Sequence, residues 1–342
     1  MSISWRRIRE HPTRQHAADL EHQLIADAAD AVKAASKDTG GWWQLNRLRQ
    51  RSTHLVRQFL SGAVATARTA VAAAARTGRE QAETDLRKHH LTVVPTHTDI
   101  PVAAKAEHEV TEAIKATAPH AIRSGDRLYT EALAAILSQP AQSEAHRLRV
   151  AQAVLDRLAG EGITGFQDKA GRNWNLVSYM EMATKTTAMN AMLDAHVQTL
   201  SAHGQHLVVI DGAVDCCPVC APWHGRRVSI DAPVEGVPTL ADARAAGVWH
   251  PHCRCSVEFW YPGDPLPNVP QPDPQLYADR QHLRYLERQV RAAKRVKAAA
   301  LDDLSLHAAN IRIRAYQAKI RRHVSSSGQR RIRRREQIGR AL

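Results

Sequence analysis

The stretch that decides the fold reads DGAVDCCPVCAPWHGRRVSI from Asp211 to Ile230 and GVWHPHCRC from Gly247 to Cys255. It contains all five cysteines of the 342-residue chain. Two short turns stand out within it, Cys217-Pro-Val-Cys220 and His250-Pro-His-Cys253. Helical patterns precede this stretch and a basic helical segment follows it, so we expect the chain to be organised around a small region rich in cysteine and histidine.

The two turns have the spacing of a metal site. A C-x2-C turn presents two thiolates to one ion, and an H-x2-C turn can complete the tetrahedral Cys3His set that zinc favours. The sequence therefore predicts one structural zinc, held by Cys217, Cys220, His250 and Cys253. A region of about fifty residues has a small hydrophobic core, and a bound metal ion would add to its stability. The same pattern also fits thiols and histidines that pack together without a metal.

Four further residues near the turns are weaker candidates. Cys216 and Cys255 are spare thiols, and Cys255 could replace His250, because residues i and i+2 of a strand point to the same side. His224 and His252 are less favoured, since each lies beside a proline or glycine turn with no partner at the right offset.

Composition and periodicity predict a mainly α fold. Aromatic residues make up only 5% of the chain and alanine is abundant, which favours helices over sheets. The predicted helices span 16–36, 42–89, 102–120, 126–138, 141–159, 176–203, 275–300 and 304–324. The predicted strands span 207–210, 226–230 and 254–261 and give the cysteine-rich domain an α+β character.

Four regions follow from this pattern. They are an N-terminal helical region (1–159), an α+β domain with the Cys/His turns (160–263), a proline-rich linker (264–274) and a basic helical hairpin or tail (275–342). Six prolines between positions 262 and 274 exclude a helix or a central strand there. In the second tail helix, we expect Ala308, Ile311, Ala315 and Ile320 to face inward, and Ser325–Gly328 to form a flexible joint.

The positive charge of the chain lies at one end. The net charge is +13, and residues 279–342 alone carry 18 Lys and Arg against 5 Asp and Glu, so the rest is balanced. Charge confined to one end predicts a polyanionic partner, most simply double-stranded DNA bound without sequence preference. The arginines predicted to contact phosphates are Arg330, Arg331, Arg333, Arg334 and Arg335. A solvated tail without a partner, or docking on an acidic protein surface, would explain the same charge.

Several function classes are disfavoured. No apolar run follows the first arginines and none is long enough to cross a bilayer, so we expect a protein made in a reducing cytoplasm, without a membrane partner. The chain lacks the H-x-E element of zinc deaminases and any glycine-rich phosphate loop. His250 and Cys253 share one turn without a visible orienting group. We therefore expect no enzyme and no small-molecule substrate.

A set of motifs in order resembles the phage minor capsid proteins, which belong with the Mu F-like head-morphogenesis proteins of tailed bacteriophages. The motifs are Asp168-Lys-Ala-Gly171-Arg172-Asn-Trp174, Tyr179-x-Glu181-Met182, Cys217-x2-Cys220-x-Pro222-Trp223-x-Gly225-x2-Val228-Ser229, Gly247-x2-His250-Pro251-x-Cys253-Arg254, Tyr285-Leu286-Glu287-Arg288-Gln-Val-Arg291 and the segment from Arg330 to Gln337. The resemblance covers roughly residues 160 to 340.

The resemblance implies a structural component of a phage or prophage head. It implies a role in procapsid assembly, contact with the portal and other head proteins, and a location in the virion after assembly in the host cytoplasm. Members differ in how many of these cysteines they hold, so the zinc prediction depends on this chain's own residues. Two alternatives are a zinc-containing nucleic-acid-binding protein and a toxin or effector fused to a head-morphogenesis domain. Little sequence follows residue 263 to form a toxin domain.

Overall fold

A computed structural model of the chain describes residues 12–37, 42–138, 143–167, 171, 173–231 and 233–339. The fold is mainly α-helical with a small antiparallel sheet, which confirms the predicted class. The sequence also predicts that Asp38–Gly41 end the first helix and that Pro140 marks the entry to the helix at 141–159. These residues, together with Asp168 and Arg172 of the resemblance motif, lie outside the described residues. Among the described helices, none combines the length and the apolar character needed to cross a membrane.

The helices are α1 (Pro12–Ala35), α2 (Trp42–Lys88), α3 (Asp99–Lys115), α4 (Ala118–Leu137), α5 (Glu144–Glu161), α6 (Leu176–Ala202), α7 (Leu240–Ala245), α8 (Pro274–Ala298) and α9 (Asp303–Ser327). The strands are β1 (Phe166–Gln167), β2 (Asn173–Trp174), β3 (Leu207–Asp211), β4 (Arg227–Ser229) and β5 (Ser256–Phe259). The single helix predicted over 102–120 is wrong, because α3 ends at Lys115 and α4 begins at Ala118. Pro119 explains this break, since proline is accepted in a first helical turn and not in a helix interior.

The chain divides into two compact units, and each consists of separated segments. The described residues of unit 1 lie within Val64–Ala113 and Glu181–Ala278, and those of unit 2 lie within Pro12–Ala63, Ile114–Met180 and Asp279–Leu342. This division follows spatial contacts, whereas the four regions drawn from the sequence follow its motifs, and those regions stay a prediction.

Helices α1, α4 and α5 enclose the main core of unit 2. Its fully buried side chains include Ile25, Tyr129 and Leu155, packed with small alanines that allow the helices to approach closely. The turn after α8 closes this core, because Ala299 and Leu301 are buried in the same cluster. The amide of Gln152 fixes that turn by donating to the Ala299 carbonyl and accepting from the Leu301 backbone N–H.

A buried ion pair joins α1 to α8 within unit 2. Arg295 and Glu21 lie 3.4 Å apart, with side chains only 4% and 2% exposed. Arg295 also donates to the carbonyls of Ala159 and Gly160, at 2.8 and 2.6 Å. Glu21 accepts from the Ile163 backbone N–H at 3.0 Å. Both charges are thus hydrogen-bonded as burial requires, since an unpaired charge would be costly there.

The last two helices form the predicted basic hairpin. Leu283, Leu286 and Val290 of α8 pack against Ile320 of α9, with Tyr316 and Val324 at the edge. The predicted inward face of α9 is wrong except at Ile320, because its buried residues are Ala309 and Ile320. The residues predicted to face inward but found exposed are Ala308, Ile311 and Ala315.

The predicted flexible joint after α9 is also wrong. The helix continues through Ser327 and ends at Gly328, whose left-handed backbone (φ 66°) forms the C-cap. The hydroxyl of Ser327 accepts from the Gln329 backbone N–H and donates to the His323 carbonyl. This segment is therefore an ordered helix terminus.

The segment beyond Gly328 packs against the first described helix of unit 2. The guanidinium of Arg14 donates to the carbonyls of Arg334 and Gln337, at 3.4 and 3.2 Å. His22 makes a 2.7 Å hydrogen bond to the Gly339 carbonyl. We call these contacts the terminal clasp.

Unit 1 contains a three-stranded antiparallel sheet in the order β4-β3-β5. The proline-rich segment 264–274 has no strand and no helix before Pro274, in agreement with its composition. It nevertheless packs on the sheet, because Val269 is buried against Val209 and Trp260, and the Asp273 backbone N–H donates to the Val214 carbonyl at 2.7 Å.

Helices α2 and α6 make a close backbone approach in unit 1 at Gly78. A Cβ atom on Gly78 would lie 2.0 Å from the Met192 carbonyl oxygen and 3.1 Å from the His196 nitrogen. Both of these are backbone atoms, so neither can rotate away. Gly78 therefore allows α6 to pack directly on α2, and any side chain at this position would separate the two helices.

The buried His196 makes unit 1 sensitive to acid. The residue is fully buried, and the Gly78 backbone offers its ring only a weak hydrogen bond. Burial lowers the pKa of His196 to about 4, while the nearby charge of Asp85 partly opposes this effect. The unfolded chain therefore takes up a proton near the ordinary pKa of 6.5, where the folded chain does not. Stability is lost as pH falls from about 6.5 towards 4, by about 3 kcal/mol in total.

We expect His196→Leu to flatten this part of the pH profile. Urea unfolding of both proteins between pH 7 and 4 measures the free energy of unfolding at each pH. The wild type should lose more stability than the variant over this range. Parallel losses in the two proteins would contradict a neutral, buried His196.

Candidate metal centre

The antiparallel sheet brings the two Cys/His turns together. Strand β3 ends at Asp211 and leads into the first turn, while β5 begins at Ser256 directly after the second turn. Asp211 pairs with Ser256 in the sheet register. The chain leaves β3 and enters β5 at the same edge, so two turns about thirty residues apart in sequence meet in space.

The first turn is a tight knuckle. The backbone N–H groups of Cys220 and Ala221 both donate to the Cys217 carbonyl, at 3.2 and 3.0 Å. A short 3-10 helix, Ala221–Trp223, then carries the chain to His224 and on to β4. This geometry turns the sulfur atoms of Cys217 and Cys220 to the same side.

The second turn follows the short helix α7. A reciprocal capping box between Thr239 and Asp242 starts this helix. The Cys253 backbone N–H donates to the His250 carbonyl at 2.8 Å, which closes the turn. The Cys255 backbone N–H then donates to the Cys253 sulfur at 3.4 Å. Backbone N–H groups of this kind stabilise thiolates in metal knuckles.

The structure brings the four predicted ligands together in pairs across the two turns. The Cys217 sulfur lies 2.9 Å from His250 Nε2, and the Cys220 sulfur lies 3.5 Å from that of Cys253. Among the described residues, donors that could hold an ion form two triads, Cys217/Cys220/His250 and Cys220/Cys253/Cys255. Within each triad, all donor atoms lie within 4.8 Å of one another. Cys220 is fully buried and belongs to both.

The electrostatics of the cluster favour thiolates at Cys217 and Cys253, whereas contacts with the neighbouring thiols and burial raise the pKa of Cys220, and contact with Cys253 and burial raise that of Cys255. Contacts with the Cys220 thiol and with His250 lower the pKa of Cys217. The contact with Cys217 in turn raises the pKa of His250. Contacts with Cys220 and Cys255 lower the pKa of Cys253. Thiolate is the form of cysteine that binds a metal, and sulfur and imidazole are donors that zinc accepts.

His224 lies closer to the cluster than its place in the sequence predicts. Its Nε2 atom is 3.3 Å from the Cys255 sulfur. Gly212 makes room for the ring, because a Cβ at that position would lie 2.2 Å from His224 Nε2 and 3.0 Å from the Cys255 sulfur. The spacing Cys217-x2-Cys220-x3-His224, together with a glycine directly after β3, is the sequence signal that could have identified it.

The remaining candidates lie outside the triads. Cys216 is buried and donates its thiol proton to the Cys217 carbonyl at 3.4 Å. His252 is exposed, with a left-handed backbone (φ 64°) that turns the chain between His250 and Cys253. Arg254, between the last two cysteines, forms a 2.6 Å ion pair with Asp215 and so ties the second turn to the first.

The five arginines predicted to contact nucleic acid differ in their surroundings. Arg331 forms a two-point ion pair with the buried Glu336, at 2.6 and 2.7 Å. The Arg335 side chain is partly buried, and its carbonyl accepts from Arg291. Arg330, Arg333 and Arg334 are exposed. These three are the members of the set whose side chains face solvent, and their contact with nucleic acid stays a prediction.

Comparison with known proteins extends the resemblance seen in the motifs. The model of the family Phage minor capsid protein 2 matches residues 17–325. A structural protein of Lactococcus phage LL-H is 29% identical in an alignment of 175 residues that covers 47% of this chain and 47% of that protein. The match therefore spans about half the length of this curated relative, and no solved structure matches the chain.

The family match includes the two Cys/His turns. It also includes the N-terminal helices, which contain none of the motifs that carry the resemblance. It ends before the arginines at 330–335, so the prediction for these residues depends on their charge and exposure alone. Because the match covers most of the sequence, the chain belongs to the phage minor capsid protein 2 family.

Proposed function

We propose that this minor capsid protein is a structural part of a tailed-phage head, acts in procapsid assembly near the portal, and contacts double-stranded DNA without sequence preference. The observation that carries the structural role is the family match over residues 17–325. The phage structural protein that matches half of the chain supports the same role. Both favour a head component over a free nucleic-acid-binding protein or a toxin fusion.

We infer that the Cys/His cluster holds a structural zinc, with Cys217, Cys220, His250 and Cys253 as ligands. Its support is a set of sulfur and imidazole donors within 4.8 Å in each triad, placed at the end of a sheet of three short strands. A bound ion would tie β3 to β5 through side chains where the backbone pairing ends. The donors are partly buried, and the chain belongs to a family of structural proteins. Both points favour a structural metal site over a catalytic one, so we propose no enzymatic activity.

Contact with DNA would use the exposed arginines near the end of the chain. Arg330, Arg333 and Arg334 present cations on the 3-10 helix Arg333–Glu336 and the residues before it. The ion pair between Arg331 and Glu336 fixes the backbone that carries them. Arginine side chains on phosphates give affinity without reading bases, which suits a protein that meets any genome sequence.

Replacement of Arg330, Arg333 and Arg334 by glutamine should weaken binding of duplex DNA and reduce its salt dependence. The slope of log K against log salt should fall by up to about 3, because each phosphate contact contributes about 0.9. Binding titrations of the full chain at several salt concentrations measure both effects. The triple variant Arg47→Gln, Arg57→Gln, Arg76→Gln is the matched control, since it removes the same charge from exposed positions of α2. Equal losses in the two variants would point to net charge and contradict a local DNA surface.

The portal contact requires a separate experiment. Co-purification of the full chain with the portal protein of the same phage, at low and at high salt, tests it. Retention that depends on Arg330, Arg333 and Arg334 would assign these arginines to an acidic protein surface. Absence of any complex at low salt would refute the portal contact and leave the family assignment unaffected.

A further inference from the structure

The cluster offers more donors than one zinc ion can use. Four thiols and two imidazoles meet there, whereas a structural zinc takes four ligands. The two donors left over by the predicted set, Cys255 and His224, contact each other at 3.3 Å. This pair of one cysteine and one histidine resembles Cys217 and His250 of the predicted set, which are 2.9 Å apart.

The distances between donor atoms separate the six residues into two outer pairs and one central pair. A tetrahedral ion with bonds of about 2.3 Å to sulfur and about 2.0 Å to nitrogen holds its donors about 3.5–3.8 Å apart. The Cys217–His250 and His224–Cys255 pairs need only a small opening to reach this separation. The central Cys220 and Cys253 sulfurs are already 3.5 Å apart.

The two triads meet at the central thiols. Cys220 belongs to both triads, which otherwise contain different residues. Cys253 belongs to the second triad and shares its turn with His250 of the first, through the 2.8 Å hydrogen bond between their backbones. A thiolate sulfur has lone pairs for two metal ions, and six-cysteine modules that hold two zinc ions rely on such sharing.

We propose that the cluster binds two divalent, thiolate-seeking ions such as zinc, bridged by the sulfurs of Cys220 and Cys253. Cys217 and His250 complete the coordination of the first ion, and Cys255 and His224 complete that of the second. Each ion then has four ligands. This inference rests on the proposed structural zinc and extends it from one ion to two.

Charge balance and packing agree with two ions. The three thiolates of Cys217, Cys220 and Cys253 around a single divalent ion would leave one negative charge at a site whose central sulfur, that of Cys220, is fully buried. Two divalent ions balance four thiolates, and neutral imidazoles add no charge, so no net charge is buried. The absence of a side chain at Gly212 fits the same arrangement, because it lets the His224 ring reach Cys255 as a ligand of the second ion.

Metal content of the full chain tests the proposal. The protein is loaded with Zn2+, freed of unbound metal by gel filtration and assayed for zinc per chain. Two zinc ions per chain are expected, falling to one in His224→Ala and in Cys255→Ser. Cys216→Ser is the matched control and should keep two, because Cys216 lies outside both triads and its thiol donates to the Cys217 carbonyl instead.

The possible results separate this inference from the proposed function. One zinc per chain in the wild type would overturn the two-ion site and leave the single structural zinc in place. No zinc would overturn both. Should the variants fail to fold, cadmium NMR of the Cd2+-loaded wild type decides: two resonances of equal intensity support the shared-thiolate pair, and one resonance refutes it.

Discussion

Cys220→Ser is expected to abolish metal binding and to destabilise unit 1. Cys220 is fully buried and is the residue common to both donor triads, so its loss removes a ligand from every arrangement that the cluster allows. Structural zinc sites contribute about 10–16 kcal/mol of binding free energy in small peptides, of which a larger unit with its own core loses only a part. We expect a loss of at least about 3 kcal/mol of stability.

Zinc analysis and thermal unfolding, each with and without a chelator, measure the effect of Cys220→Ser. The wild type should lose stability on chelation until it matches the variant, while the variant should not respond to the chelator. Cys216→Ser removes a neighbouring thiol that is also buried, and this variant should retain both metal and stability. A Cys220→Ser protein that keeps its zinc and its melting temperature would show that the cluster is a packed set of thiols.

The second large effect is expected from Arg295→Met in unit 2. The substitution preserves much of the side-chain volume but leaves the Glu21 carboxylate buried without its cation. It also removes the Arg295 donor from the Gly160 carbonyl and one of the two donors from the Ala159 carbonyl, which keeps the Gly162 backbone N–H. Removal of one partner from a buried ion pair costs about 3–5 kcal/mol. Urea unfolding of the full chain should show this as a lower midpoint.

A double-mutant cycle isolates the charge effect. Glu21→Leu combined with Arg295→Met replaces both charges by apolar groups and should recover part of the loss, since a buried ion pair is often no better than apolar packing. Lys297→Met removes an exposed cation from the same helix and should change stability by less than about 0.5 kcal/mol. A similar loss in Lys297→Met and Arg295→Met would mean that the buried pair contributes nothing specific.

The sequence predicted the parts of the fold that depend on local pattern. Helix α2 lies within one residue of its predicted end, because its apolar spacing is long and uninterrupted. The convergence of Cys217 and His250 followed from the spacing of two turns that each match a metal knuckle. Both predictions depend on residues that are close together in the chain, and contacts with distant segments do not change such local patterns.

The features that were missed depend on contacts between distant segments. His224 becomes a neighbour of Cys255 only because the register of β3 and β5 places Gly212 beside both. The buried pair of Glu21 and Arg295 joins positions 274 residues apart, and in the sequence each reads as an ordinary surface charge. The face of α9 was misjudged because only its later part packs on α8, so its earlier apolar residues, such as Ile311, stay exposed.

The terminal clasp has a consequence for the order in which the protein is made. Arg14 and the Gln337 carbonyl that it binds are separated by 323 positions, so α1 leaves the ribosome long before its partner is synthesised. The contacts of α1 with Arg334, Gln337 and Gly339 form only after these residues have been made, and contacts of such separation form late in folding. Chains shortened by early termination or proteolysis would lack the clasp and would not present Arg330, Arg333 and Arg334 in place.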